Sequence, residues 1–206
     1  MADTNTSTQI LDAATGLFLQ YGYKRTTVDE IAAKVGIAKG SFYLHFPSKE
    51  AVFAAVSQRL AGKVLGEMSR IAASDLDVKT KLHRVLEDPI LYIWDFCHRA
   101  PHAPALWSEL LAAAGEFTGP AYACAEKIIG DIIAEGQAQG VFAGGLDVQM
   151  AARLFQLGTE GFDVPFRLID DRHQIEKELP LLVDLLIRGL KHTPSFDASE
   201  RARERS

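Results

Sequence analysis

The sequence predicts an all-α protein, on three observations. Apolar residues recur at spacings of three and four along nearly the whole chain, as in helices that each bury one stripe. Gly, Pro and Ser, Thr or Asp punctuation falls where those stripes stop and restart. The 206 residues, 48% of them hydrophobic, suffice for a sizeable core without an apolar run of the ~18 residues that a membrane span needs.

Ile10, Ala14, Leu17, Phe18 and Tyr21 form the stripe of the first helix, and Gly22 stops it. In TVDEIAAKVG, Thr27 and Glu30 have the spacing of a capping box, Val28, Ile31, Ala32 and Val35 make the apolar face, and Gly36 ends the second helix. Gly36 to Pro47 leaves room for little more than two turns, so a third helix there is too short to stand alone. Phe42 and Phe46, one turn apart, are predicted to hold it to its neighbours. Ser48 caps a fourth helix, predicted over 49–73.

SDLDVK then reads as a turn and a fresh start with no flexible linker. A fifth helix over 78–98 carries Leu82, Val85, Leu86, Ile90, Ile93 and Trp94, with Pro89 inside it as a kink site. RAPHAP, 99–104, is a turn; helices follow over 106–114 and 120–139. GVFAGGLDVQ breaks the chain, and Asp147 begins the next helix. Two long helices, 147–170 and 171–192, complete the pattern, with Pro180 at a first turn or a kink of the last. LPLLVDLLIRGL, 179–190, is apolar on more than one face, more than one monomer's core would use, and Gly158, Gly161 and Gly189 permit close helix approach. The segment 194–206 is polar with alternating charges and is predicted to be disordered.

The third helix poses a question. With Phe42 and Phe46 inward, a 100° step per residue puts Gly40, Ser41 and Leu44 on the far side and Lys39 and Tyr43 on one flank. Lys39 and Lys49 sit at helix N-termini, where an exposed cation costs about 0.3 to 1 kcal/mol, and Gly40 costs about 1 kcal/mol relative to Ala. Phosphates would reverse the sign of the lysine cost, because helix N-termini attract them too. Two helices joined by Gly36-Ile37-Ala38 read as a helix-turn-helix, whose second helix enters the major groove.

Between residues 10 and 56 the pattern AATGLFLQYGYKRTTVDEIAAKVGIAKGSFYLHFPSKEAVF resembles the N-terminal domain of the TetR family of transcriptional regulators. The resemblance covers three helices and the start of a fourth. It implies an N-terminal helix-turn-helix domain, 1–50, and a larger helical ligand-binding and dimerisation domain, 51–193, with the fourth helix connecting the two. It implies that Thr27, Tyr43, His45 and Lys49 contact phosphates, that Lys39, Gly40 and Ser41 face base edges, and that Leu44 meets a thymine methyl. The partners so implied are a double-stranded DNA operator, a small-molecule inducer, and a second copy of the chain joined through the last two helices. This chain departs from the family at Ala38, where many members carry a capping Ser or Thr, and in a leading segment without the Arg or Lys that reach a minor groove.

Composition narrows the reading. A formal net charge of -5 excludes bulk attraction to nucleic acid, and between Gln9 and Glu50 five Lys or Arg stand against four Asp or Glu. Binding must therefore rest on a few placed contacts and on two subunits. Two cysteines without a CxxC, and an N-terminus lacking the basic and apolar regions of a signal peptide, point to the cytoplasm and to no membrane partner. Tyr92, Trp94, Phe96, Trp107, Phe117 and Tyr122 are candidates for lining an apolar cavity, against the plainer reading as core. His98 and His102 are four apart, but Pro101 between them spoils the geometry of a shared metal, so no metal or other cofactor is expected. No GxGxxG, P-loop, HExxH or nucleophile elbow suggests an enzyme. The leading expectation is a repressor released from a palindromic operator by a small, largely apolar ligand. The alternatives are a ligand-independent or activating regulator, or a helical sensor or enzyme without DNA function.

Overall fold

The computed structural model describes residues 2–113, 118–162 and 171–192, and these contain no strand. In chain order the elements are α1 (Ala2–Tyr21), α2 (Val28–Val35), α3 (Lys39–His45), α4 (Lys49–Ala72), α5 (Val78–Cys97), α6 (Ala103–Ala113), α7 (Thr118–Ala138), α8 (Val148–Thr159), a 3-10 turn (Glu160–Phe162) and α9 (Arg172–Gly189). The protein is all-α.

Local chemistry accounts for the boundaries. Thr27 accepts from the Glu30 amide at 3.3 Å while the Glu30 carboxylate accepts from the Thr27 amide at 2.7 Å, closing the capping box of α2. Gly36 ends α2 at φ 78°, the left-handed region that favours glycine, and the amides of Gly36 and Ile37 both return to the Ala32 carbonyl. Ser48, Asp77, Asp147 and Asp171 cap α4, α5, α8 and α9 through their side chains. Ala38, at the start of α3, makes no side-chain cap.

The Thr27 cap gives a direct test. Thr27→Ala is expected to lower the unfolding free energy at neutral pH by about 1 kcal/mol in a denaturant titration. Hydrogen bonds from the Thr27 backbone and side chain hold the Glu30 carboxyl below the usual carboxylate range. A depressed folded value adds stability above the unfolded pKa and loses it as pH falls through the folded one, so the gap between wild type and variant is expected to narrow in acid.

Packing divides into two cores. The first takes Ile10, Ala14, Phe18, Ile31, Phe42, Val52, Phe53 and Val56 from α1 to α4, and is completed by Ile93, Phe96 and Cys97 at the end of α5 and by Leu106 and Leu110 of α6. The second joins Met68 and Ile71 of α4 to Leu82, Val85 and Ile90 of α5, Ile129 and Ile132 of α7, Phe155 of α8 and Val183 and Ile187 of α9. α4 and α5 run through both. Lys81 of α5, almost fully buried, reaches both carboxylate oxygens of Glu135 on α7, at 3.0 and 2.9 Å.

Several elements differ from the sequence-based expectation. α1 begins a full two turns before Ile10. Phe46 lies just past α3 in an extended conformation and is only partly buried, so Phe42, fully buried, is the side chain that anchors the helix. α8 stops at Thr159 and passes into the 3-10 turn, where one helix to residue 170 was expected; 163–170 lie outside the described residues. Pro180 is well inside α9, not at its first turn, which leaves the kink of the two expected alternatives. Of the three glycines expected at close approaches, only Gly158 backs onto a neighbour: a Cβ there would stand 3.4 Å from Leu186 Cδ1, while Gly161 and Gly189 face open space. The glycine that packing demands is Gly136 of α7, where a Cβ would stand 2.2 Å from the Phe142 ring. The segment 194–206, expected to be disordered, also lies outside the described residues.

Candidate nucleic-acid interface and ligand cavity

α2, the turn at Gly36 and α3 form the helix-turn-helix. Phe42 seals the inner side of α3, with the Phe46 ring 6.4 Å away and the Tyr43 ring edge-on at 5.5 Å. On the outer side Lys39, Gly40, Tyr43 and Leu44 are exposed and Ser41 is half-buried. Leu44 is 85% exposed, a large apolar side chain with almost no intramolecular burial. A Cβ on Gly40 would meet nothing within 4 Å, so packing inside this chain does not explain the glycine. Lys39 pairs with Asp29 of α2 at 2.9 Å, both side chains exposed, and that carboxylate raises the pKa of the ammonium.

The remaining expected DNA contacts have partners within the chain. His45 Nδ1 lies 3.1 Å from Ser7 Oγ of α1, within hydrogen-bond distance. The Thr27 hydroxyl donates to Glu30 Oε2 at 2.8 Å, at the exposed start of α2. Lys49 departs furthest from expectation. Its ammonium donates to the carbonyls of Tyr23 and Thr26, both at 2.9 Å, and of Lys24 at 3.4 Å, and it sits 4.4 Å above the centre of the Tyr23 ring. An ammonium has three hydrogens, and three carbonyls of the α1–α2 turn take them. Tyr23 in turn donates to Glu50 Oε1 at 3.3 Å and packs at 4.3 Å from the Phe53 ring. Burial, and then Glu50, push its pKa up to about 12.

Below this domain a cavity of about 170 Å³ opens between α4, α5, α6, α7 and the end of α8. Its wall is mostly apolar, from Leu65 and Met68 through Pro89 and Ile90 to Ile129, with polar atoms on Trp107, Tyr122, Gln156, Thr159 and Glu160. Of the aromatics expected to line a cavity, Trp107 and Tyr122 do. Trp94 belongs to the second core and stacks on His98 at 3.9 Å; Phe96 is buried in the first core, and Tyr92 packs against it. Phe117 lies outside the described residues. Trp107 also packs on the first core, its ring 6.1 Å from Phe96, so one side chain touches both the cavity and the core that supports α3. His98 and His102 have different neighbours: His98 Nδ1 lies 2.9 Å from the Trp94 carbonyl, and the His102 ring lies beside Gly22, 3.7 Å from where a Cβ would stand.

A second surface stands out on α8 and α9. Met150, Leu154 and Leu157, at i, i+4 and i+7, and Leu181 and Leu185, at i and i+4, are each roughly half exposed or more. Met150, Leu154, Leu185 and Gly189 line one groove.

Residues 10–56 match the family model of the bacterial regulatory proteins of the tetR family. Over that segment the chain is a member of the tetR family. A second finding agrees along the full fold: a TetR/AcrR-family transcriptional regulator from Thermobifida fusca superposes with a TM-score of 0.64 at 25% identity, covering 91% of this chain and all of that one. SmeT, the repressor of the Stenotrophomonas maltophilia multidrug efflux pump SmeDEF, superposes with a TM-score of 0.67 at 22% identity over 93% of each chain. In sequence, the transcriptional repressor KstR2 of Rhodococcus jostii is 37% identical over 79 residues, 38% of this chain. This chain spans only 39% of that repressor's length, and 22% of the length of YerO, an HTH-type regulator of Bacillus subtilis. No described helix of this chain is long and apolar enough to cross a membrane.

Sequence reasoning missed Gln156, Thr159 and Glu160. Their signal was present: polar residues at i, i+3 and i+4 directly after the buried run Ala151, Ala152 and Phe155.

Proposed function

We propose that this protein is a cytoplasmic, homodimeric DNA-binding transcriptional regulator of the tetR family, a repressor that leaves a palindromic operator when a small, largely apolar ligand fills the cavity. The observation that carries the reading is α3: Phe42 fixes its back, while Gly40 and Leu44 on its front have no intramolecular reason to be what they are. Residues 1–50 are then the DNA-binding domain and 51–193 the ligand-binding and dimerisation domain. Two copies of α3, joined through α8 and α9, would enter successive major grooves roughly 34 to 36 Å apart. Lys39, Gly40 and Ser41 read base edges and Leu44 a thymine methyl, while Thr27, Tyr43 and His45 fix register on phosphates. Lys49 supports them by holding the α1–α2 turn.

Release follows from shared elements. α4 carries both Phe53 of the first core and Met68 at the cavity, and Trp107 of α6 touches both. A ligand that favours a different placement of α4 and α6 lowers operator affinity by its differential binding to the two arrangements.

The test is a titration of a palindrome selected with the purified protein. Tyr43→Ala is expected to weaken binding about tenfold, and Lys39→Ala to relax sequence preference at one position per half-site. Unchanged affinity and preference in both variants would remove α3 as the reading helix.

A further inference from the structure

We propose that the cavity selects small apolar molecules with a cationic or hydrogen-bond-donating head, and rejects carboxylates and other anions; this rests on the reading that the cavity receives a ligand. Apart from its Trp and Tyr, the polar part of the wall is one patch at the end of α8: Gln156, Thr159 and Glu160. That patch is rich in acceptors. The Thr159 hydroxyl directs its hydrogen back to its own helix, to the carbonyls of Phe155 at 3.2 Å and Gln156 at 3.0 Å, so it keeps only lone pairs for another partner. Glu160 brings a carboxylate, which accepts and does not donate. Gln156 directs one amide hydrogen toward the Tyr122 carbonyl at 3.5 Å and keeps its second amide hydrogen and its amide oxygen, a neutral group that can serve a donor or an acceptor.

The backbone adds the same sign. Thr159 is the last residue of α8 and Glu160 its C-cap, so the patch coincides with the negative end of the helix dipole, where cations are favoured and anions disfavoured. No Lys, Arg or His is among the lining residues, so no cation in the described wall balances an anionic head, which would also stand beside the Glu160 carboxylate. The rest of the wall is aliphatic and aromatic, and the volume of about 170 Å³ suits a single ring or a short chain, being close to the ~150 Å³ apolar cavity that accepts benzene.

Three probes on one aryl frame separate the head groups: 2-phenylethylamine, 2-phenylethanol and phenylacetate, titrated calorimetrically into the full chain at neutral pH without DNA, with the Trp emission as a second readout. The amine is expected to bind at least tenfold more tightly than phenylacetate, with the alcohol between them. Glu160→Gln is expected to bring the amine down to the level of the alcohol, and Glu160→Asp to keep part of the preference. Phenylacetate binding within threefold of the amine, an amine preference untouched by Glu160→Gln, or no saturable binding by any of the three would overturn the proposal. Because DNA is absent, failure of operator binding leaves these outcomes readable. An amine that binds here but leaves a protein–operator complex intact would count against the inducer reading alone.

Discussion

Leu154→Glu combined with Leu185→Glu is expected to yield a folded monomer that has lost specific operator binding. Both side chains are more than half exposed and neither is part of the second core, so the substitutions remove little intramolecular packing. Their cost falls on the dimer that we propose. Two glutamates from each protomer would face their copies across an isologous contact, where like charges meet in a desolvated setting. Sedimentation should show the wild type as a dimer and the variant at half its mass, with matching helical circular dichroism. A single α3 retains only one half-site's contacts, so the selected palindrome should bind at least a hundredfold more weakly. A variant that stays dimeric would show that α8 and α9 are not the interface. A monomer with undiminished affinity would show that pairing is not needed for binding.

The same face illustrates what sequence reading could and could not see. A hydrophobic period identifies a buried stripe without naming the surface it meets. In LPLLVDLLIRGL the excess of apolar positions was legible, and the structure divides them: Leu179, Val183 and Ile187 enter the second core, while Leu181 and Leu185 remain outside. Trp94 and Phe96 are two residues apart on α5 and so point to opposite sides of it, one into each core. The expectation that both line one cavity therefore failed on geometry that a helical wheel contains, once α5 is known to run between two cores. The boundary near Thr159 was harder, since 3-10 and α turns share a local pattern of residues. Gly136 was invisible because its partner, Phe142, comes back over it only after the chain turns at Gly140.

Capping was legible because it is local. Thr27, Ser48 and Asp147 each bond within three residues of themselves, and all three were placed from spacing alone. Lys49 shows the opposite case. Its partners, Tyr23, Lys24 and Thr26, are 23 to 26 residues away, and at the first position of a helix a lysine looks like a cation waiting for an anion.

Lys49→Met is accordingly expected to lower thermal stability and operator affinity together, while leaving the salt dependence of binding unchanged. Removing the ammonium strands three carbonyls of the α1–α2 turn, and each partly buried acceptor left unpaired costs about 1 to 3 kcal/mol unless water replaces the donor. The turn positions the start of α2, and α2 positions α3, so the loss reaches the reading surface indirectly. A phosphate ligand would behave differently. Its removal flattens the plot of log affinity against log salt by about 0.9 for each phosphate released, and two half-sites double that. Arginine separates the roles further: a planar guanidinium serves phosphate well but cannot direct three hydrogens at three converging carbonyls. Lys49→Arg is therefore expected to fail as a rescue, with a melting temperature near that of Lys49→Met. A flattened salt slope at unchanged melting temperature, with binding restored by arginine, would return Lys49 to the DNA backbone and leave the turn to hold itself.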